Sequence, residues 1–215
     1  MKHGIATAIA IALAAVWGAA ASSASADDSP DVAFAQRMFA ANAGKPTAYA
    51  CFARHYDAAH LAQHPLQKVA VMKLLISSEK VTDDEYLNYS FRLGINFRNR
   101  PGDFDSSGDC GHARVVRNPD TDPQAAEQAA AGVDFFCGVD CDGGGISVSL
   151  AKDNTSVIVK VDGIRIWKGK DFDESAETEL KGGADDKVLR LDRTSLNECT
   201  ALVSDRKELA AMRHK

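Results

Sequence analysis

Between Leu87 and Phe97 the chain alternates without a break. Leu87, Tyr89, Phe91, Leu93, Ile95 and Phe97 are separated by Asn88, Ser90, Arg92, Gly94 and Asn96. A period of two places the apolar set on one face of an extended strand, and the polar set requires a solvated opposite face, which predicts an antiparallel sheet. Shorter stretches of the same character predict strands at Tyr49 to Tyr56, Val69 to Ser77, Cys110 to Arg117, Ser156 to Val161, Ile164 to Trp167 and Lys187 to Leu191. Asp162-Gly163, between two of these, reads as a hairpin turn. Pro101 to Gly108 reads as a loop, Asn118 to Gly132 as a longer connection, and Asp171 to Glu179 as an acidic loop.

The stretch Val133 to Leu150 carries the densest pattern. Val133, Phe135, Cys137, Val139 and Cys141 fall on alternate positions, Gly143, Gly144 and Gly145 form a turn, and Ile146, Val148 and Leu150 resume the alternation. Four residues of strand span about 13 Å, beyond the roughly 4.4–6.8 Å between disulfide-bonded Cα atoms, so Cys137 cannot pair with Cys141 while the strand is continuous. The expectation is a hairpin with its cysteines on the apolar face.

Helical signals are few and short. Ser29-Pro30-Asp31 opens an amphipathic run from Val32 to Asn42, and Asp57 to His64 is a turn or two of helix stopped by Pro65. Ser195 and Glu198 have the spacing of a capping box ahead of a C-terminal helix reaching about Met212. About eight short strands separated by turn signals predict a mostly β protein, a single antiparallel β-sandwich or small β-barrel with short peripheral helices.

The N-terminus adds an address. Lys2 is followed by an apolar run from Ile5 to Trp17 and by Ala24-Ser25-Ala26, the pattern of a secretory signal peptide cleaved after Ala26. The apolar run is shorter than the roughly 20 residues of a spanning helix. Residues 1–26 are thus read as leader, 27–48 as an N-terminal helix and linker, and 49–215 as the β-rich domain, in a periplasmic or extracellular setting. One of the 25 lysines and arginines, Lys2, lies in the leader, and the 30 acidic residues outnumber the rest. That balance is no footprint for nucleic acid.

All five cysteines lie past the leader, where disulfides form and persist. The expected pairs are Cys110 with Cys137, across consecutive strands, and Cys141 with Cys199, leaving Cys51 as the unpaired thiol. An alternative joins Cys51 to Cys110 and Cys141 to Cys199. An exposed odd cysteine would link two copies covalently.

His55, Asp57, His60 and His64 are the candidate metal group, because His60 and His64 share a helix face at a spacing that suits zinc. Pro65 cuts that helix short, and no Glu stands between the histidines as the metalloprotease motif requires. Turn and surface histidines are the plainer reading. Asp140 and Asp142 beside the glycines suggest a calcium loop without the twelve-residue spacing of an EF-hand; Asp171, Asp173, Glu174 and the Asp185-Asp186 pair are further acidic clusters, all equally at home as polar turns. No cofactor is expected beyond such a zinc or calcium ion. No G-x-S-x-G elbow is present, and the glycine run lacks the Lys-Ser/Thr of a phosphate loop.

Tyr56-Asp57-Ala58-Ala59-His60-Leu61 with His64-Pro65 and Gln67, and the run Cys137-Gly138-Val139-Asp140-Cys141-Asp142-Gly143-Gly144-Gly145, resemble segments of a group of small exported bacterial proteins with no assigned function. The resemblance implies export and a compact β-rich domain, and names no substrate. The expected role is a non-catalytic module binding an envelope protein, a glycan or a small ligand. The alternative is a metal-binding protein or metal-dependent hydrolase built on the histidine group.

Overall fold

The computed structural model describes residues 30–81, 87–112, 134–169 and 178–213, and the statements below concern these. The leader, the 118–132 connection and most of the 171–179 acidic loop lie outside them, as do Val133 and the 113–117 end of one expected strand. No described helix is long and apolar enough to cross a membrane.

The protein is mostly β, with one nine-stranded antiparallel sheet and short helices around it. In chain order the elements are α1 (Pro30–Phe39), β1 (Thr47–His55), α2 (Ala58–Gln63), β2 (Val69–Lys80), β3 (Leu87–Phe97) and β4 (Asp103–His112). Then follow β5 (Asp134–Gly138), β6 (Gly144–Leu150), β7 (Ser156–Lys168), β8 (Thr178–Leu180), β9 (Val188–Thr194), α3 (Leu196–Cys199) and α4 (Arg206–Arg213).

Pairing runs β6-β5-β4-β3-β2-β1-β9-β7-β8, and β6 also pairs with β7, so eight of the strands form a closed hydrogen-bonded circuit. β4 pairs with β7 at Phe104 and Asp105 and with β5 at Asp109 to His112, so the β5–β6 hairpin is wedged between β4 and β7 at one end. Closure removes the terminal edges of those eight strands, which could otherwise recruit another strand, and leaves the three-residue β8 outside the circuit against β7.

The alternation of β3 is realised as expected. Tyr89, Phe91, Leu93 and Ile95 are buried inside the circuit with Phe52, Leu74, Ile76, Val148, Val159 and Leu191. α1 adds Phe34, Met38 and Phe39 to this core at the end where Tyr89, His112 and Phe135 lie. Arg193 fixes it there by donating to the carbonyls of Met38 (2.8 Å) and Arg37 (3.3 Å) at the helix C-terminus, where a cation suits the helix dipole.

β1 is buried on both faces. Its outer side, Tyr49 and Cys51, packs with Leu75 against Cys199, Val203 and Met212 of the C-terminal segment.

Four expectations are corrected. Asp162-Gly163 is no turn: Gly145 pairs with Gly163 and Ile146 with Val161, which makes Asp162 the extra residue of a β-bulge in one long strand, β7. The 101–108 stretch is largely strand. Its Asp, Ser and Gly content has little intrinsic β preference, and pairing on both flanks overrides that; Phe104 and Ser106 point inward. Gly108 is required there, because a Cβ would stand 2.0 Å from the Gly138 carbonyl oxygen.

The third correction is the continuous strand to Cys141. β5 ends at Gly138, and the chain turns through Cys141 and Asp142, both at positive φ (56° and 61°), so Cys141 leaves the apolar face. The fourth is the C-terminal helix, which is two helices. Val203 is extended and buried between them, and Asp205 starts α4 by accepting from the Glu208 amide at 2.8 Å.

Candidate functional site

The disulfides decide which cysteine is reactive. Cys110 and Cys137 are direct cross-strand partners and are bonded, as expected. Cys51 is bonded to Cys199, not Cys141 to Cys199, and Cys141 is the exposed free thiol. The expected pairing failed because it placed Cys141 on a buried face that the turn at 139–143 removes it from.

The histidine group is dispersed into structural contacts. Asp57 caps α2, its carboxylate accepting from the His60 amide at 2.7 Å. His60 Nε2 donates to Gln67 Oε1 at 3.0 Å, while the Gln67 amide nitrogen donates to the Val69 carbonyl at 2.8 Å, which fixes the amide's orientation. The His60 ring lies between Tyr56 and His64, with centroids 4.8 and 4.4 Å away. His55, at the end of β1, faces Glu198 instead, 2.9 Å from its carboxylate. Among the described residues no group of three His, Cys, Asp or Glu side chains is gathered to hold a metal ion.

Of the acidic clusters within the described residues, the Asp185-Asp186 pair braces a loop. Asp186, fully buried, accepts from the Lys68 and Val69 amides, and Asp185 accepts from the Leu66 amide at 3.0 Å. Asp140 and Asp142 are exposed in the β5–β6 turn. Asp171, Asp173 and Glu174 lie outside the described residues. Thus the segment from Tyr56 to Val69 is pinned from below by Asp186 and Gln67, and the loop between α2 and β2 is held in one shape with Leu66 projecting outward.

Leu66 is 62% exposed, the most exposed large apolar side chain among the described residues. It borders a groove of about 490 Å³ at the end of the circuit opposite α1, where β3 turns into β4. Phe97, Arg100 and Leu180 form further walls, and Lys68 and Lys181 stand at its border. The Arg100 guanidinium carbon lies over the Phe104 ring, 4.1 Å from its centroid, and 5.9 Å from that of Phe97. Lys181 is 3.1 Å from Glu179, a carboxylate in the same groove.

A second cleft of about 410 Å³ lies on the outer face of β1–β4, beside α4. It is polar, crossed by the register row Tyr49, Ser77, Ser90 and Asp109, and closed by the two-pronged Arg92–Glu208 bond of 2.7 and 2.9 Å. Burial first, and then the neighbouring Glu208, push the Tyr49 hydroxyl pKa up to about 12, so it remains a neutral donor. With its one cation already engaged by Glu208, this cleft is the less adaptable of the two.

No protein-family model matches this chain, and neither a curated protein nor a solved structure does.

Proposed function

We propose that the protein is an exported, non-catalytic binding module and that its ligand seat is the groove between the α2–β2 loop, the β3–β4 turn and β8. One observation carries the reading: Leu66, 62% exposed, stands on a loop whose amides are held by Asp185 and by the buried Asp186, in a groove of about 490 Å³. Exposing a large apolar side chain is unremarkable on a loose surface loop. Here the loop is braced by hydrogen bonds to a buried carboxylate, which holds the groove ready before any ligand arrives.

Export is supported by the leader pattern of residues 1–26 and by the two intramolecular disulfides, which persist in oxidising compartments. The binding role is supported by the braced groove and by the engagement of His55, Asp57 and His60 in structural contacts.

The test is a thermal-shift screen of small molecules and short glycans against the intact protein and Leu66→Asp. Compounds that raise the melting temperature of the parent and lose that effect in the variant locate the seat. If all stabilising compounds act equally on both proteins, the groove is not the seat.

A further inference from the structure

We infer that the groove takes a small, monomeric amphiphile with one anionic oxygen head group and an apolar tail. The inference rests on the groove being the binding seat and adds the chemistry of what sits there.

The head group follows from Arg100. Its guanidinium carbon lies 4.1 Å from the Phe104 centroid and 5.9 Å from that of Phe97, two rings 5.2 Å apart, and the side chain is exposed to the groove. Among the described residues no carboxylate is ion-paired with the Arg100 guanidinium or the Lys68 ammonium. A guanidinium already resting against an aromatic ring loses less freedom on forming a two-pronged bond, and its fork matches a carboxylate or phosphate. The whole chain carries a net charge of −5, so a cationic ligand would find attraction over much of the surface. An anion finds it beside Arg100 and Lys68, which line the groove, while Lys181 there is already engaged by Glu179.

The tail follows from Leu66, Phe97 and Leu180, which give the same groove apolar walls. A space of about 490 Å³ is suited to a small molecule and too small for a folded partner.

Isothermal titration with decanoate below its micelle concentration tests this, alongside decyltrimethylammonium and a neutral decyl glucoside, on the full-length mature protein. Arg100→Glu and Leu66→Asp both alter exposed side chains, and unchanged melting curves verify their folding. The expected result is binding of decanoate, with each variant weakening it by about tenfold or more. The ammonium probe should not bind. If the ammonium or neutral probe binds the parent as well as decanoate does, and Leu66→Asp removes that binding while Arg100→Glu leaves it, the seat stands and the anionic class is overturned. If no probe binds in solution while vesicles of anionic lipid retain the protein, the monomeric amphiphile is overturned in favour of a membrane surface. If decanoate binding is indifferent to both variants, the seat and the ligand class fall together.

Discussion

Cys51, on the outer face of β1, is bonded to Cys199 at the end of α3, so one covalent bond closes a loop between residues 148 apart in sequence. Both cysteines are buried in the small cluster that Tyr49, Leu75, Val203 and Met212 complete outside the sheet. Because β1 contacts β2 and β9 as well, the bond ties the C-terminal segment to the middle of the circuit rather than to its margin.

Replacing both partners, Cys51→Ala with Cys199→Ala, removes the bond without leaving stray thiols. The expected loss is about 2–5 kcal/mol of unfolding free energy, the range typical of removing a native disulfide, measured by urea denaturation. The far-ultraviolet circular dichroism of the folded state should keep its strand signature. A loss below about 0.5 kcal/mol would mean that Val203 and Met212 hold the segment without covalent help.

Cys141 should be the one titratable thiol of the native protein. Its turn places it in solvent at positive φ, and the other four cysteines are bonded. Alkylation under native conditions should label Cys141 alone by peptide mapping. Oxidation should give a covalent dimer on non-reducing electrophoresis that Cys141→Ser abolishes. Labelling of Cys51 in the native protein would contradict the disulfide pattern.

Much of the sheet was legible because burial of one face forces alternation. β3 is the clearest instance, and β1 and α1 were read within a few residues of their observed bounds. β4 was unreadable in its first half because Asp103, Asp105, Ser107 and Gly108 favour turns, and only pairing with β3 and β7 makes them strand. The Asp162 bulge and a two-residue turn have the same local sequence, and the partner strand alone distinguishes them.

The cysteine map failed for a related reason. Extrapolating the β5 alternation past Gly138 put Cys141 indoors, whereas the glycines that signal a turn sit after the residues that make it. Asp57 was read as a candidate metal ligand beside the histidines, whereas it caps α2, and Gln67, which engages His60, was noticed only as part of a motif. The groove could not be read at all. Leu66, Arg100 and Leu180 come from separate segments, and nothing in the sequence brings them together before the circuit closes.

Acid should loosen the C-terminal segment through Glu198. Its carboxylate lies 2.8 Å from Lys73 Nζ and 2.9 Å from His55 Nε2, on α3, next to the disulfide-bonded Cys199. The Lys73 hydrogen bond first, then that of His55, hold the carboxyl below its ordinary value of 4.5. A carboxyl whose pKa is lower when folded contributes stability that is complete above the unfolded value and is lost as pH falls through the folded one. The melting temperature should therefore decline as pH drops below about 4.5, and Glu198→Gln should flatten that decline while lowering the plateau at neutral pH. Some acid slope should survive in the variant, since Asp192 is likewise held low, chiefly by its hydrogen bond from Arg54. If the parent and Glu198→Gln lose melting temperature in parallel from neutral pH down to pH 3, the Lys73–Glu198–His55 contact contributes nothing to holding α3 against β1 and β2.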